Sequence, residues 1–387
     1  MRKSILYILL YLFFIFTPSE SISIIQGGGL SLPKLSFVFL FLSFIITPSI
    51  RGLQTNSFIK MLLLYSAWAL ITSVFSINIE AAMLRWLSFL VPLVILIYML
   101  NILIYDETIL CNIMKSYVFG CLIPIYVMMK MIIIGGGGDI ERMTVLGQDQ
   151  NELSVLLCIG VSFVFYLFKN GRLKLFSKVI LLIFSILSST SILLTGSRTG
   201  FIILLSVLIL GFLSLGKKGE VSAICISVLV LPLVLEYIPT SNIDRLLQTQ
   251  EQISEGDFTG RGYIWARGIE ALTSLPSARM LIGVGYDQFP YLLKETFGIW
   301  KAPHNTYLAT FIEQGSLGFC IFSSLLILVL INTIRLCRLN KNVVYFTLIL
   351  PILISMMTLG LQTRRWLWVV LFMLCKMYEF DRRKFRM

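Results

Sequence analysis

Charged residues and histidine are scarce in this chain. Only 13% of its 387 residues are charged and one is histidine, whereas 57% are hydrophobic, and the mean hydropathy is +0.88. This balance excludes a soluble domain and indicates a helical membrane protein that crosses the bilayer many times. The net charge of +12 does not indicate nucleic-acid binding, because most of the basic residues fall in short loops between apolar segments.

Several motifs of enzymes and metal sites are also missing. The sequence has no Walker loop, no Gly-x-Ser-x-Gly and no Cys-x-x-Cys. Its seven cysteines lie in or beside apolar segments, so we expect neither a disulfide nor a cysteine metal site. Asp139 and Glu141 form a weak metal signal in a short polar segment. We therefore expect no metal and no cofactor.

Apolar segments long enough to cross a bilayer, about 20 residues each, predict an all-α protein with about twelve transmembrane helices. The first follows Met1-Arg2-Lys3 and resembles a secretory signal, but the spans after it favour an uncleaved helix. Lysine and arginine are concentrated in the alternate loops that place both termini in the cytoplasm. The predicted spans are 4–25, 35–50, 58–77, 84–104, 113–134, 151–168, 178–195, 199–215, 220–238, 304–334, 343–361 and 365–379.

One long polar loop, residues 239–303, separates the first nine predicted helices (1–238) from the last three and a cytoplasmic C-terminus (304–387). It is predicted to lie outside, because long loops are translocated largely regardless of their charge. Residues Thr259–Ser274 within it have a helical pattern that ends before Pro276. The loop is therefore predicted to contain a short helix.

The single histidine, His304, lies where this loop meets the tenth predicted span. Imidazole has an unperturbed pKa near neutrality, so His304 is a candidate general base. The alternative is a histidine that only caps the helix. Asn305 is expected to cap or orient the start of that helix and to contribute to substrate binding.

Arginines dominate the other outer segments. Arg198 stands between Gly196 and Gly200 at the start of a span, where an anion is well placed. Arg261 and Arg267 lie on the predicted loop helix, and Arg142 follows a run of four glycines; each has the planar donor group that binds phosphate well.

Each arginine also has a purely structural interpretation. Arg198 would lie at the membrane interface, Arg261 and Arg267 would lie on a solvated helix face, and Arg142 would precede an ordinary helix start. Lys130 and three other arginines of the chain are interpreted as anchors at the membrane interface. The loop also carries aromatic residues that suit either sugar rings or, by preference, an interfacial belt. The three arginines are Arg85, Arg364 and Arg365. The aromatic residues of the loop are Tyr286, Phe289, Tyr291, Phe297 and Trp300.

Four stretches of the sequence together resemble the O-antigen ligase and O-antigen polymerase family of bacterial envelope glycosyltransferases. The most specific is His304-Asn305, nine residues, then Gly315-x-x-Gly318. The long outer loop and the twelve-span topology agree with that family. The other three stretches are Gly196-Ser-Arg-Thr-Gly200, Gly260-Arg-Gly-Tyr-Ile-Trp265 and Gly283-Val-Gly-Tyr-Asp-Gln-Phe289.

The resemblance implies a metal-independent membrane enzyme of the bacterial inner membrane. Its substrate would be an oligosaccharide linked to undecaprenyl diphosphate, used at the periplasmic face. By resemblance, Arg198 and Arg261 would hold the diphosphate, and His304 would be the base on the acceptor hydroxyl. Membrane lipid and a chain-length regulator are the other expected partners, and nucleic acid is not one.

Within the family, a polymerase that joins repeat units is the first interpretation, and a ligase that transfers glycan to lipid A–core is the alternative. Ile202 stands where ligases often have leucine, which slightly favours the polymerase. A flippase for lipid-linked glycan would also suit twelve spans, but no similarity between the two halves of the chain is evident. A membrane acyltransferase would also use a histidine, yet would not need the outer arginines.

Overall fold

The chain folds as a bundle of membrane-length helices. The computed structural model describes residues 2–20, 31–47, 56–134, 148–171, 173–217 and 261–384. Within them, 7 helices are long and apolar enough to cross a membrane, and three shorter apolar helices accompany these. The prediction of an all-α protein that crosses the membrane many times is confirmed. The count of twelve stays a prediction, since the expected ninth span, 220–238, lies outside the described residues.

Within each described range, consecutive helices are joined by short connections. A π-helical turn, Trp86–Leu90, joins the fourth and fifth helices. Pro92, the second residue of the fifth helix, has no N–H to donate to that turn. The helices of the bundle are α1 Arg2–Phe16, α2 Leu32–Ile46, α3 Ser57–Val74, α4 Ile79–Arg85, α5 Val91–Leu103, α6 Glu107–Ile134, α7 Gln150–Asn170, α8 Leu175–Leu194 and α9 Arg198–Leu215. The later helices are α10 Arg261–Thr273, α11 Ala278–Ile282, α12 Phe289–Phe297, α13 Thr306–Asn340, α14 Phe346–Met356 and α15 Arg365–Lys384.

Two helices, α7 and α15, are surrounded by the others. Most residues of both are buried, and Trp366 and Trp368 of α15 are among the largest fully buried side chains. A helix that contacts other helices on all sides does not need a lipid-facing apolar surface. This explains how α15 carries several charged residues and still lies inside the bundle. The N-terminal ends of these two central helices lie under the candidate site.

The described part of the long loop is folded onto the bundle. Helices α10, α11 and α12 share a small apolar core with Ile312 of α13, which includes Leu272, Val284, Phe289 and Leu293. The predicted loop helix is therefore present as α10, at residues 261–273. The described part of the loop, from residue 261 onward, therefore forms a layer packed on one end of the bundle.

Three predictions from the sequence need correction. The helix of the tenth predicted span extends beyond 334 to Asn340 and has a break at Gly315, where the backbone leaves the helical conformation. The helix of the last predicted span continues five residues beyond the predicted 379, to Lys384. Tyr286 and Phe289 are fully buried, so they belong to the protein interior and not to an interfacial belt. Residues 135–147 and 239–260, with Arg142, lie outside the described residues.

Candidate active site

Four helices of the described residues begin at the same end of the bundle. They are α7, α9, α13 and α15, and their first residues are Gln150, Arg198, Thr306 and Arg365. Arg261 of α10 lies at this end as well. Each helix start carries partial positive charge from the aligned peptide dipoles and presents N–H groups that are not used within the helix. Together with the arginines, these ends make a region that attracts anions such as a diphosphate.

Hydrogen bonds hold these helix ends together. The Ser197 hydroxyl donates to the Asn151 side-chain oxygen over 2.8 Å and also caps α9 by accepting from the Gly200 N–H at 3.0 Å. The Thr306 hydroxyl donates to the Leu359 carbonyl at 2.6 Å and accepts from the Leu361 N–H at 2.8 Å. The start of α9 is thus fixed to that of α7, and the start of α13 is fixed to the segment before α15.

His304 has an unusual backbone conformation. Its φ is 47°, in the left-handed region that few residues other than glycine adopt. The chain is held on both sides of it. The Trp265 indole N–H donates to the Pro303 carbonyl at 2.7 Å, and the Asn305 side chain caps α13 by accepting from the Leu308 N–H at 3.0 Å. The cap is therefore Asn305, as expected, and His304 has another role or none.

Arg261 and Asp149 are the charged neighbours of His304. Partial burial lowers the pKa of His304, and the positive charge of Arg261 lowers it further. Asp149 opposes this effect, and Lys301 adds a smaller one in the same direction as Arg261. Burial also lowers the pKa of Arg261, but a guanidinium stays charged at any physiological pH. Burial and the charge of Arg261 therefore favour the neutral form of His304.

Asp149 connects the predicted residues to one another. Its carboxylate caps α7 by accepting from the N–H groups of Asn151 at 2.9 Å and Glu152 at 3.0 Å. Asn151 in turn accepts from Ser197, the residue directly before the half-buried Arg198. The structure thus brings His304, Arg261 and Arg198 to one end of the bundle, around the start of α7.

A second layer of ion pairs lies beside these residues, and the sequence interpretation missed it. Arg364 contacts the buried carboxylate of Glu152 at 2.9 Å, which also accepts from the Trp366 indole N–H at 3.2 Å. Arg365 lies 3.7 Å from Glu20, and both side chains are nearly buried. Arg364 and Arg365 are therefore part of the charged end of the bundle. Their role as interfacial anchors stays a prediction.

Four positive charges act on the buried carboxylate of Glu20. They belong to Arg365, Arg364, Lys34 and Arg85. Arg85 therefore also lies at this end of the bundle, where it forms an ion pair with Asp287 at 2.9 Å. Ion pairs between residues distant in the sequence thus bring these arginines to the site.

Arg267 has a different environment from Arg261. Its guanidinium lies between the rings of Tyr263 and Phe297, 5.2 and 5.0 Å from their centroids, and it pairs with Glu270 at 2.8 Å. These contacts hold it against the surface of α10 and α12. Its binding of substrate stays a prediction, as does that of Arg142.

The fold and this site define a class: a membrane protein of many helices whose charged centre lies at one end of the bundle, under a folded loop. Residues 183–323 match the family model described as O-antigen ligase. The match includes Arg198, Arg261, His304 and Gly315 and confirms the predicted resemblance to the O-antigen polymerase and ligase family. That family consists of glycosyltransferase-like enzymes that act on lipid-linked polysaccharide. No curated protein matches the chain significantly.

Proposed function

We propose that this protein is a metal-independent glycosyltransferase that polymerises surface polysaccharide repeat units. It transfers a glycan from undecaprenyl diphosphate to a hydroxyl of the next lipid-linked repeat unit, at the periplasmic face of the bacterial inner membrane. One observation carries the proposal: a half-buried histidine, whose pKa is lowered by burial and by the positive charge of Arg261, lies at the end of the bundle where the N-termini of α7, α9, α13 and α15 meet.

His304 acts as the general base. Its lowered pKa keeps the imidazole neutral at physiological pH, so that it can accept a proton from the acceptor hydroxyl. The acceptor oxygen forms a bond to the anomeric carbon of the donor glycan as the bond from that carbon to the diphosphate oxygen breaks. The electron pair of the broken bond stays on the diphosphate, and the proton leaves His304 for the solvent.

Arg198 and Arg261 bind the diphosphate and stabilise the charge that develops on it. Arg198 is the first residue of α9, so its guanidinium and the helix N-terminus act on the same anion. Arg261 supplies a second guanidinium. A planar guanidinium contacts two phosphate oxygens at once, whereas an ammonium acts as a point charge.

Lysine substitution tests this diphosphate clamp. Arg198→Lys and Arg261→Lys keep the positive charge but lose the two-pronged contact, and we expect each to lower turnover by roughly 10- to 100-fold, the value of a hydrogen bond to a charged group. Polymer formation by purified protein measures the effect, and Arg338→Lys at the far end of α13 is the control. Turnover within twofold of wild type in both site variants would exclude the clamp.

The description of the matching family favours a ligase as the second candidate. The surface glycan of a deletion strain decides between the two. Loss of a polymerase leaves single repeat units on lipid A–core, whereas loss of a ligase leaves lipid A–core bare and polymer on the carrier. A flippase is distinguished in the purified system, since it forms no new glycosidic bond.

A further inference from the structure

A cleft of about 320 Å³ opens at the same end of the bundle, between the start of the α4–α5 span and the Tyr286–Tyr291 segment. The reaction described above does not use it. Four of its lining residues, Ala81, Leu84, Arg85 and Ser88, recur at the spacing of one helix face. The opposite wall is formed by Asp287, Gln288 and Tyr291.

The helix side of the cleft is irregular. The π-helical turn begins at Trp86, directly after Arg85, and includes Ser88. Such turns inside helices occur often at functional sites, because they re-aim side chains at the cost of regular hydrogen bonding. The Trp86 indole N–H donates to the Ser66 carbonyl at 2.9 Å, which fixes the turn against α3.

The loop side is held in place by a buried carboxylate. Asp287 has φ 60°, a conformation that costs energy for any residue with a side chain. Glu313, which is 1% exposed, accepts from the Asp287 N–H at 3.0 Å and from the Phe289 N–H at 3.3 Å. The strained backbone is thereby stabilised, and the Asp287 carboxylate is presented to Arg85 in the cleft.

The chemistry of the cleft differs from that of the arginine site. The Arg85–Asp287 pair has no net charge and is more than one third exposed on both sides, so a diphosphate gains little there. A guanidinium donates and a carboxylate accepts, which suits a ring bearing several hydroxyl groups. Tyr291 adds a ring with a polar edge. The volume lies at the lower end of the range of small-molecule sites, about 300–1,000 Å³.

From these features we infer that the Arg85–Asp287–Tyr291 cleft is a saccharide-binding subsite, which takes a sugar ring of a lipid-linked glycan. The inference rests on the proposed function for the identity of that glycan. The cleft also has a structural connection to His304. The centroids of the Tyr291 and Trp300 rings are 4.9 Å apart, and Trp300 is four residues before His304. The positive charge of Arg364 also acts on the Asp287 carboxylate.

Binding of sugar without its lipid tests the inference. The probe is the repeat-unit oligosaccharide of the host strain, released from its carrier and freed of phosphate, titrated against the full chain in nanodiscs. Arg85→Gln removes the charge pair. Ala81→Met fills the cleft and leaves the pair intact. Arg338→Gln, at the far end of α13, is the control.

We expect both cleft variants to bind the oligosaccharide at least tenfold more weakly than wild type, with unchanged affinity for inorganic diphosphate and an unchanged melting profile. Steady-state kinetics then identify the source of the sugar. A raised KM for the acceptor alone assigns the subsite to the acceptor glycan, and a raised KM for the donor alone assigns it to the donor glycan.

Wild-type oligosaccharide affinity in both variants would overturn the inference. So would a loss in Arg85→Gln without a loss in Ala81→Met, because the ion pair would then only hold the loop. If wild type binds the oligosaccharide in the cleft but forms no glycosidic bond, the proposed function fails and the subsite stands.

Discussion

At the scale of single residues, the backbone of His304 is as informative as its side chain. A left-handed φ at a non-glycine residue persists only where the surroundings enforce it, and here Trp265 and Asn305 hold the chain before and after it. The sequence identifies His304 as the lone imidazole, but it gives no sign of this conformation. The contact from Trp265 comes from a residue 38 positions away, which no local pattern reveals.

The first prediction separates the imidazole from its backbone. We expect His304→Ala to lower turnover by about 10²–10⁴-fold, the usual value of a general base, with donor binding largely retained because the diphosphate is held elsewhere. His304→Asn is the sharper variant, since asparagine tolerates the left-handed conformation. It should be as inactive as His304→Ala while keeping the wild-type melting profile. An active His304→Asn protein would remove the imidazole from the mechanism.

The second prediction concerns pH. A base must be neutral, so turnover should fall as the pH drops through the pKa of His304, which burial and Arg261 hold below the usual value of about 6.5. Lys301→Gln removes a charge that lowers this pKa, so the acid limb should move to higher pH. Asp149→Asn removes the charge that raises it, so the limb should move to lower pH.

Both substitutions are mild for the fold, because Lys301 is exposed and asparagine caps a helix about as well as aspartate. The pH dependence of turnover by the purified protein measures the limb. Shifts in the same direction, or none in either variant, would show that the limb belongs to another group.

At the scale of elements, the glycines of the family motifs have a structural reason. Gly315 breaks α13 with φ 66° and ψ −176°, a region open almost only to glycine. A Cβ there would overlap the Leu281 carbonyl oxygen, and one on Gly283 would overlap that of Glu313. The Val284 N–H donates to the backbone carbonyl of Ile312 at 3.1 Å, and the Gly285 N–H donates to the backbone carbonyl of Glu313 at 2.8 Å. The two motifs are thus one docking contact, which places the Asp287 wall of the cleft.

The third prediction tests this contact by its stability. Gly315→Ala should unfold at a much lower temperature than wild type, or fail to accumulate, because it combines backbone strain with a clash. Gly298→Ala is the matched control. Gly298 also has a positive φ, 71°, but nothing lies within 4 Å of the added Cβ, so its cost is about 1–2 kcal/mol of conformational strain. Equal thermal midpoints for the two variants in detergent would contradict the docking contact.

Prediction of the elements from hydropathy succeeds for helices with long apolar windows and is weaker for α15, which carries several charged residues. Spans α3 to α9 have long apolar windows and are visible in the sequence. Helix α15 is less apolar because its Lys376 and Asp381 find polar partners inside the bundle, Asn101 and Asn340 among them. The sequence therefore predicts a short last span, whereas the helix continues to Lys384.

At the scale of the whole molecule, the site depends on which helix ends share a face. The alternation of helices places the starts of α7, α9, α13 and α15 at one end and Lys174, before α8, at the other. The distribution of basic residues predicts that the end carrying His304 is periplasmic. A glycan donor on undecaprenyl diphosphate in the outer leaflet meets the arginines only if this orientation is correct.

The fourth prediction therefore concerns topology. In a variant without native cysteines, Ser277→Cys on the folded loop and Lys174→Cys before α8 place single thiols at exposed positions at opposite ends of the bundle. An impermeant maleimide added to spheroplasts should label residue 277, and should label residue 174 only after the membrane is permeabilised. Labelling of 174 but not 277 in sealed spheroplasts would put His304 on the cytoplasmic face. The proposed polymerase could not act there, because its donor and its acceptor are both at the periplasmic face.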